Sequence, residues 1–158
     1  MSARAFRIGT EPQIDEELAT KFYVDNSSGG GGGKLQFASS AWRAIGASTF
    51  YWSWSGRWFF PSSNEQDFKQ VYSVAFTFET MTERVTTNTL SGTRTTTARI
   101  DGVDGNQIIV VSSATTGVFR DLVNTDSKAL DEVINLKVVS VGSGTSTWGG
   151  SSIEAELL

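Results

Sequence analysis

The chain contains no histidine and no cysteine, so any chemistry it performs must come from carboxylates, hydroxyls and aromatic rings. Without histidine it lacks the commonest general base near neutral pH and the commonest metal ligand. Without cysteine it has no thiol nucleophile, no disulfide frame and no zinc–thiolate site, and its composition is indifferent to redox compartment. Paired carboxylates remain, and glycoside hydrolysis needs two of them across a cleft. Glu79, Glu83, Asp121 and Asp131 are available. A chain with 17 acidic residues offers such pairs by chance, so the signal is nearly empty. No serine stands in a nucleophile-elbow setting. Asp101 and Asp104 are each followed by glycine and could donate to calcium. The further spaced oxygen ligands of a calcium loop are missing, and a hairpin turn is the simpler reading. The five-glycine run at 29–33 is followed by no Gly-Lys-Ser/Thr at phosphate-loop spacing. The expectation is a protein that is not an enzyme and holds no cofactor or metal.

Aromatic rings are the remaining functional material. Trp42, Phe50, Tyr51, Trp52, Trp54, Trp58, Phe59 and Phe60 fall close together. Such rings either stack on sugars or fill a core or a subunit interface. Strand alternation sends Phe50, Trp52 and Trp54 to one side and Tyr51, Ser53 and Ser55 to the other. Trp52 and Trp54 are therefore assigned to core or interface. Tyr51, Trp58 and Trp148 are the candidates for contact with a glycan.

The elements that must position these residues read as strands. Charged residues are only 19% of the chain, with serine and threonine in their place. Threonine with little lysine or glutamate favours the pleated surface of a sheet. At 158 residues there is one domain with a real core. The net charge of -4, with no basic run, argues against a nucleic-acid partner. No stretch approaches ~20 apolar residues, so no membrane insertion is expected. The opening MSARAFRIGTEPQIDEE has no apolar signal-like stretch. Release by lysis, as part of a particle, is compatible with that.

Three regions follow. Residues 1–26 form an arm with a short helix: Asp15 suits an N-cap, and Ile14, Leu18 and Phe22 recur every four residues. A helix of about three turns is unstable alone, so this stripe must dock, and its residues are candidates for a subunit interface. Residues 27–33 form a glycine-rich linker, or a long loop within one domain. Residues 34–158 form an all-β domain, an antiparallel β-sandwich or jelly roll, with about eight to ten strands. The expected strands include Leu35–Phe37, Thr49–Ser55, Val71–Phe78, Glu83–Leu90, Arg94–Ile100, Asn106–Ser112, Val118–Val123, Glu132–Val141 and Ser151–Leu157. The two Asp-Gly steps between 101 and 105 are read as turn. Lys128–Asp131 is read as a turn that could hold one helical turn, and Gly142–Ser152 as a long loop carrying Trp148.

Two stretches carry a resemblance. Leu18-Ala-Thr-Lys-Phe-Tyr-Val-Asp25 resembles the "ATKxYVD" segment of phage tail-fibre proteins. Arg99-Ile-Asp-Gly-Val-Asp-Gly105, Thr115-Thr-Gly-Val-Phe-Arg-Asp-Leu-Val-Asn-Thr125 and Asp131-Glu-Val-Ile-Asn-Leu-Lys-Val-Val139 together resemble virion proteins with TNF/C1q-like jelly-roll heads. The two stretches cover under half the chain. The resemblance implies a homotrimer on the virion surface of a bacteriophage, contacting other tail or capsid proteins through its arm. It implies host attachment, with a host surface glycan as a possible ligand. A capsid decoration (cement) protein would fit the same pattern. A carbohydrate-binding module unrelated to viruses is the competing class, and a small glycan hydrolase the third.

Overall fold

The computed structural model describes residues 33–39, 43–54 and 61–158. The expected arm and helix of 1–26, the linker up to residue 32, the interface candidates Ile14, Leu18 and Phe22, and the glycan candidate Trp58 lie outside those residues.

The described chain is strand almost throughout: β1 (Lys34–Ser39), β2 (Arg43–Ile45), β3 (Ser48–Trp52), β4 (Gln70–Val71), β5 (Phe76–Asn88), β6 (Arg94–Ile100), β7 (Val103–Val111), β8 (Gly117–Asp121), β9 (Asp126–Lys128), β10 (Val133–Ser140) and β11 (Ser146–Leu157). One 3-10 turn, Glu65–Phe68, precedes β4, and the Asn64 side chain caps its start. All pairings are antiparallel. The first sheet runs β1-β11-β5-β8, with β2 also on β11 and β9 also on β5. The second runs β3-β10-β6-β7, with β4 also on β10.

Three edge positions are each filled by two strands in series. β1 and β2 lie along β11, β3 and β4 along β10, and β8 and β9 along β5. Each sheet is thus four positions wide. Numbered along the chain, the positions run 1-8-3-6 in one sheet and 2-7-4-5 in the other. That order is a jelly roll, two Greek keys folded into a double sheet. The expected all-β sandwich is therefore the observed fold.

The core lies between the sheets and is built by alternation. Phe37, Trp52, Trp54, Phe76, Phe78, Met81, Ile109, Leu136, Trp148 and Ile153 all point into it. Trp52 meets Trp148 edge to face, with ring centroids 4.2 Å apart. Such a pair adds about 0.5–1.5 kcal/mol beyond the area it buries. The Trp54 indole N–H donates to the Asn135 carbonyl at 3.1 Å, so its polar edge costs little.

Several boundaries differ from the sequence reading. The expected strand Val71–Phe78 does not exist as one piece. β4 stops at Val71, and Val74 is exposed. Phe76 instead opens a 13-residue strand that absorbs the expected Glu83 start. Lys128 explains the break. Its ammonium is held by the carbonyls of Tyr72 (2.8 Å), Val74 (3.2 Å) and Ala129 (2.7 Å), which turns the 72–75 backbone toward β9 instead of a ladder. The expected turn at Lys128–Asp131 is accordingly the end of β9 followed by a turn at 130–131.

The Asp-Gly steps divide. Asp101-Gly102 is a two-residue hairpin turn with φ of 52° and 80°, joining Ile100 to its partner Val103. Both signs fit the primed turn that suits twisted strands. Asp104-Gly105 is not a turn; it lies in β7, where the register with β6 shifts.

The loop expected at Gly142–Ser152 is largely strand, since β11 begins at Ser146. Glycine-rich sequence argues for loop, but here Gly149 and Gly150 serve the register shift that follows Trp148.

Candidate functional site

Two adjoining features of the second sheet stand out: a polar network around Tyr51 and an apolar stripe at the β7 edge. Strand alternation turns Tyr51, Lys137, Thr97 and Ile108 outward in one row across the sheet. The next row is Thr49, Val139, Thr95 and Val110.

At the Tyr51 end the face is polar and internally paired. The Arg99 guanidinium sits 5.7 Å over the Tyr51 ring. It forks onto Glu65, with Nε to Oε1 at 2.8 Å and Nη2 to Oε2 at 3.3 Å. It also donates to the Asp104 carboxylate and to the Gly102 carbonyl. Lys137 completes the chain on Asp104, and the Asn135 amide donates to Glu65 at 3.2 Å. Two acids and two bases balance. Burial alone would raise the Glu65 pKa, but Arg99 and Asn135 hold it below the usual range. Burial also opposes ionisation of Asp104, and Lys137 and Arg99 together keep it low. Both carboxylates are thus poor proton carriers near neutral pH. The network fastens the 3-10 turn onto the sheet.

At the other end the face is apolar. Ile108 and Val110 are exposed, at 42% and 55%. Leu122 and Val123, in the turn after β8, are more exposed still. The two pieces are joined by carboxylates. Asp121 accepts the Ile108 N–H at 2.9 Å while also accepting the N–H groups of Val123 and Asn124. Asp126 accepts the N–H groups of Asn106 at 2.7 Å and Gln107 at 2.8 Å. Bare N–H groups on an edge strand invite unwanted pairing, and here side chains from the opposite sheet occupy three of them. A Cβ on Gly105 would come within 2.4 Å of the Asp126 carboxylate, so only glycine lets that carboxylate approach.

The four carboxylates considered for hydrolysis are scattered. Glu79 pairs with Lys34 at 3.5 Å. Glu83 is fully buried against Arg94 at 2.6 Å. Asp121 is occupied with backbone N–H groups. Asp131 stands in an exposed turn with φ of 61°. Among the described residues, no three acidic groups converge as a metal site.

Of the glycan candidates, Tyr51 is outward-facing and half-buried, with one ring face under Arg99. Trp148 requires correction: it has no exposed surface and packs under Arg94, so it offers no ring to a sugar. Trp52 and Trp54 are core residues, one of the two places expected for them. The sequence reading gave Asn106–Ser112 only as a strand and did not single out Ile108 and Val110 as surface residues. Strict alternation through that run would have sent them outward. The stitching roles of Asp121 and Asp126 had no local signal, since their partners lie 13 to 20 residues away. No family model, curated protein or solved structure matches this chain.

Proposed function

We propose that this protein is a non-enzymatic component of a bacteriophage virion surface, working as a trimer, with its jelly roll forming a short tail-fibre or spike head for host adhesion. The observation that carries the reading is the exposed apolar stripe of Ile108, Val110, Leu122 and Val123 on a sandwich whose β7 N–H groups at Asn106, Gln107 and Ile108 are taken up by its own carboxylates. A β7 edge whose central N–H groups are already occupied, beside an apolar side-chain surface, favours discrete association through side chains. Symmetric closure is the usual form of such association. The resemblance of the 18–25 stretch to phage tail-fibre proteins, and of the 93–139 stretch to virion proteins with jelly-roll heads, supplies the setting. Three copies pool weak contacts into useful avidity. In a capsid decoration protein the arm would attach to the head lattice and the copy number per particle would be far larger.

Light scattering on the full-length protein tests the reading, with a mass of three chains expected. A monomer at micromolar concentration refutes it and raises the carbohydrate-binding-module class. Quantitative mass spectrometry of purified particles separates a fibre from a decoration protein by copy number.

A further inference from the structure

On the outer face of the first sheet the β11 backbone carries a bulge. Trp148 pairs with Val85 and Gly150 with Arg84, which leaves Gly149 without a partner in the ladder. Trp148 turns inward, and Gly149 and Gly150 form a bare shelf. Gly150 has φ of 130°, a conformation that side-chain-bearing residues avoid. The result is an open hollow of about 220 Å³ over the shelf, bordered by Arg84, Thr82, Ser152 and Val118. It is smaller than the ~300 Å³ at which drug-sized sites begin, which suits one ring.

The register sets the charge beside it. Arg84 lies opposite Val118 and Thr82 opposite Arg120, so the two arginines are diagonal neighbours on one face of adjacent strands. Like charges at that spacing repel. Neither arginine has an ion pair or a side-chain hydrogen bond among the described residues. The acid nearest in the register, Glu154, lies opposite Thr80 and pairs with neither. The hydroxyls of Thr82 and Ser152 also have no partner among the described residues. In a chain of net charge -4, two uncompensated arginines at a glycine-floored hollow form an anion site already paid for in repulsion.

We infer that this hollow binds a carboxylate-bearing sugar, such as a uronic acid residue. The guanidinium fork of Arg84 matches a carboxylate in two parallel hydrogen bonds, and Arg120 adds charge. Thr82 and Ser152 match ring hydroxyls. Val118, the Arg84 stem and the glycine backbone supply a flat, largely apolar floor for the C–H face of the ring. The site lies away from Tyr51 and does not use an aromatic platform. The inference deepens the adhesion reading and rests on it for the source of the sugar.

Calorimetry and saturation-transfer NMR on the full-length protein test it, with a glucuronate-terminated disaccharide and its glucose-terminated counterpart as probes. Millimolar or tighter binding of the acidic sugar is expected, with about tenfold or greater loss for the neutral one and for Arg84→Gln. Arg84→Lys keeps the charge without the fork and recovers only part of the affinity. Gly149→Val fills the hollow and abolishes binding, with thermal melting as the control for folding. Equal affinity for both sugars, unchanged affinity in Arg84→Gln, or equally effective competition by inorganic sulfate overturns the site. So does a change in oligomeric mass in Arg84→Gln or Arg120→Gln without sugar binding, which makes the arginines a subunit contact. A monomer that still binds the acidic sugar refutes the trimer and leaves the site standing.

Discussion

Glu83 and Arg94 meet in the interior from opposite sheets, both fully buried and 2.6 Å apart. Arg94 also lies over the Trp148 ring at 5.8 Å and reaches Ser146 at 3.4 Å. Such a pair is weak evidence for stability, because desolvation offsets its attraction, yet breaking it strands a charge. Glu83→Ala is therefore expected to cost about 3–5 kcal/mol, whereas the double change Glu83→Leu with Arg94→Met is expected to be near neutral or stabilising. Urea unfolding followed by tryptophan fluorescence distinguishes the two outcomes. A double variant as damaged as the single one refutes this account. Burial pushes the Glu83 pKa up, while Arg94 and Thr96 pull it back down. A carboxyl whose folded pKa is raised is stabilising at low pH, and that contribution is lost as pH rises through the folded value. Gly105 is the second decisive residue. Gly105→Ala places a Cβ against the Asp126 carboxylate, and a loss of about 1–3 kcal/mol is expected in the same assay.

At the scale of elements, the carboxylate stitches decide how the sheets meet at the β7 edge. Burial opposes ionisation of Asp121, but the Asn124 side chain and the N–H groups of Ile108, Asn124 and Val123 hold its pKa below the usual range. The sign is opposite to that of Glu83. Stability from Asp121 is present above the unfolded carboxylate pKa of about 3.9 and is lost as pH falls through the lower folded value. Asp121→Asn is expected to cost about 1–3 kcal/mol at pH 7, with the gap to the parent protein closing in strong acid. Urea midpoints at neutral and acid pH provide the check, and a gap independent of pH contradicts the assignment. Lys128 acts in the same way on the 72–75 segment. Its ammonium lies 5.3 Å over the Phe76 ring and satisfies three carbonyls. Lys128→Met keeps the stem but leaves those carbonyls unpaired, so a loss of about 2–3 kcal/mol is expected, with faster hydrogen exchange at Phe76 and its neighbours.

At the scale of the whole molecule, the apolar stripe predicts that association and folding are separable. Ile108→Lys with Val110→Glu changes two exposed side chains. Surface changes of this kind alter stability by roughly 0.5 kcal/mol or less. The double variant is expected to keep its melting temperature while its mass by light scattering falls toward one chain. An intact oligomer would remove the stripe from the interface.

Local pattern by itself determined that the chain is β, where most strands run, and that Trp52 and Trp54, which the fold placed in the core, share one face bound for core or interface, because two-residue alternation and turn chemistry act over a few residues. It located the Asp101-Gly102 hairpin for the same reason. Only the tertiary structure decided the eight-position jelly-roll order, since strands adjacent in a sheet come from opposite ends of the chain, as β1 and β11 do. It also moved Trp148 from an expected loop into the core, where a bulge beside two glycines and a buried arginine overhead hold it. The Arg84–Arg120 pair and the Asp121 and Asp126 stitches belong to the same class. Each depends on which residues a register places side by side, and register is set by the packing of one whole face against another.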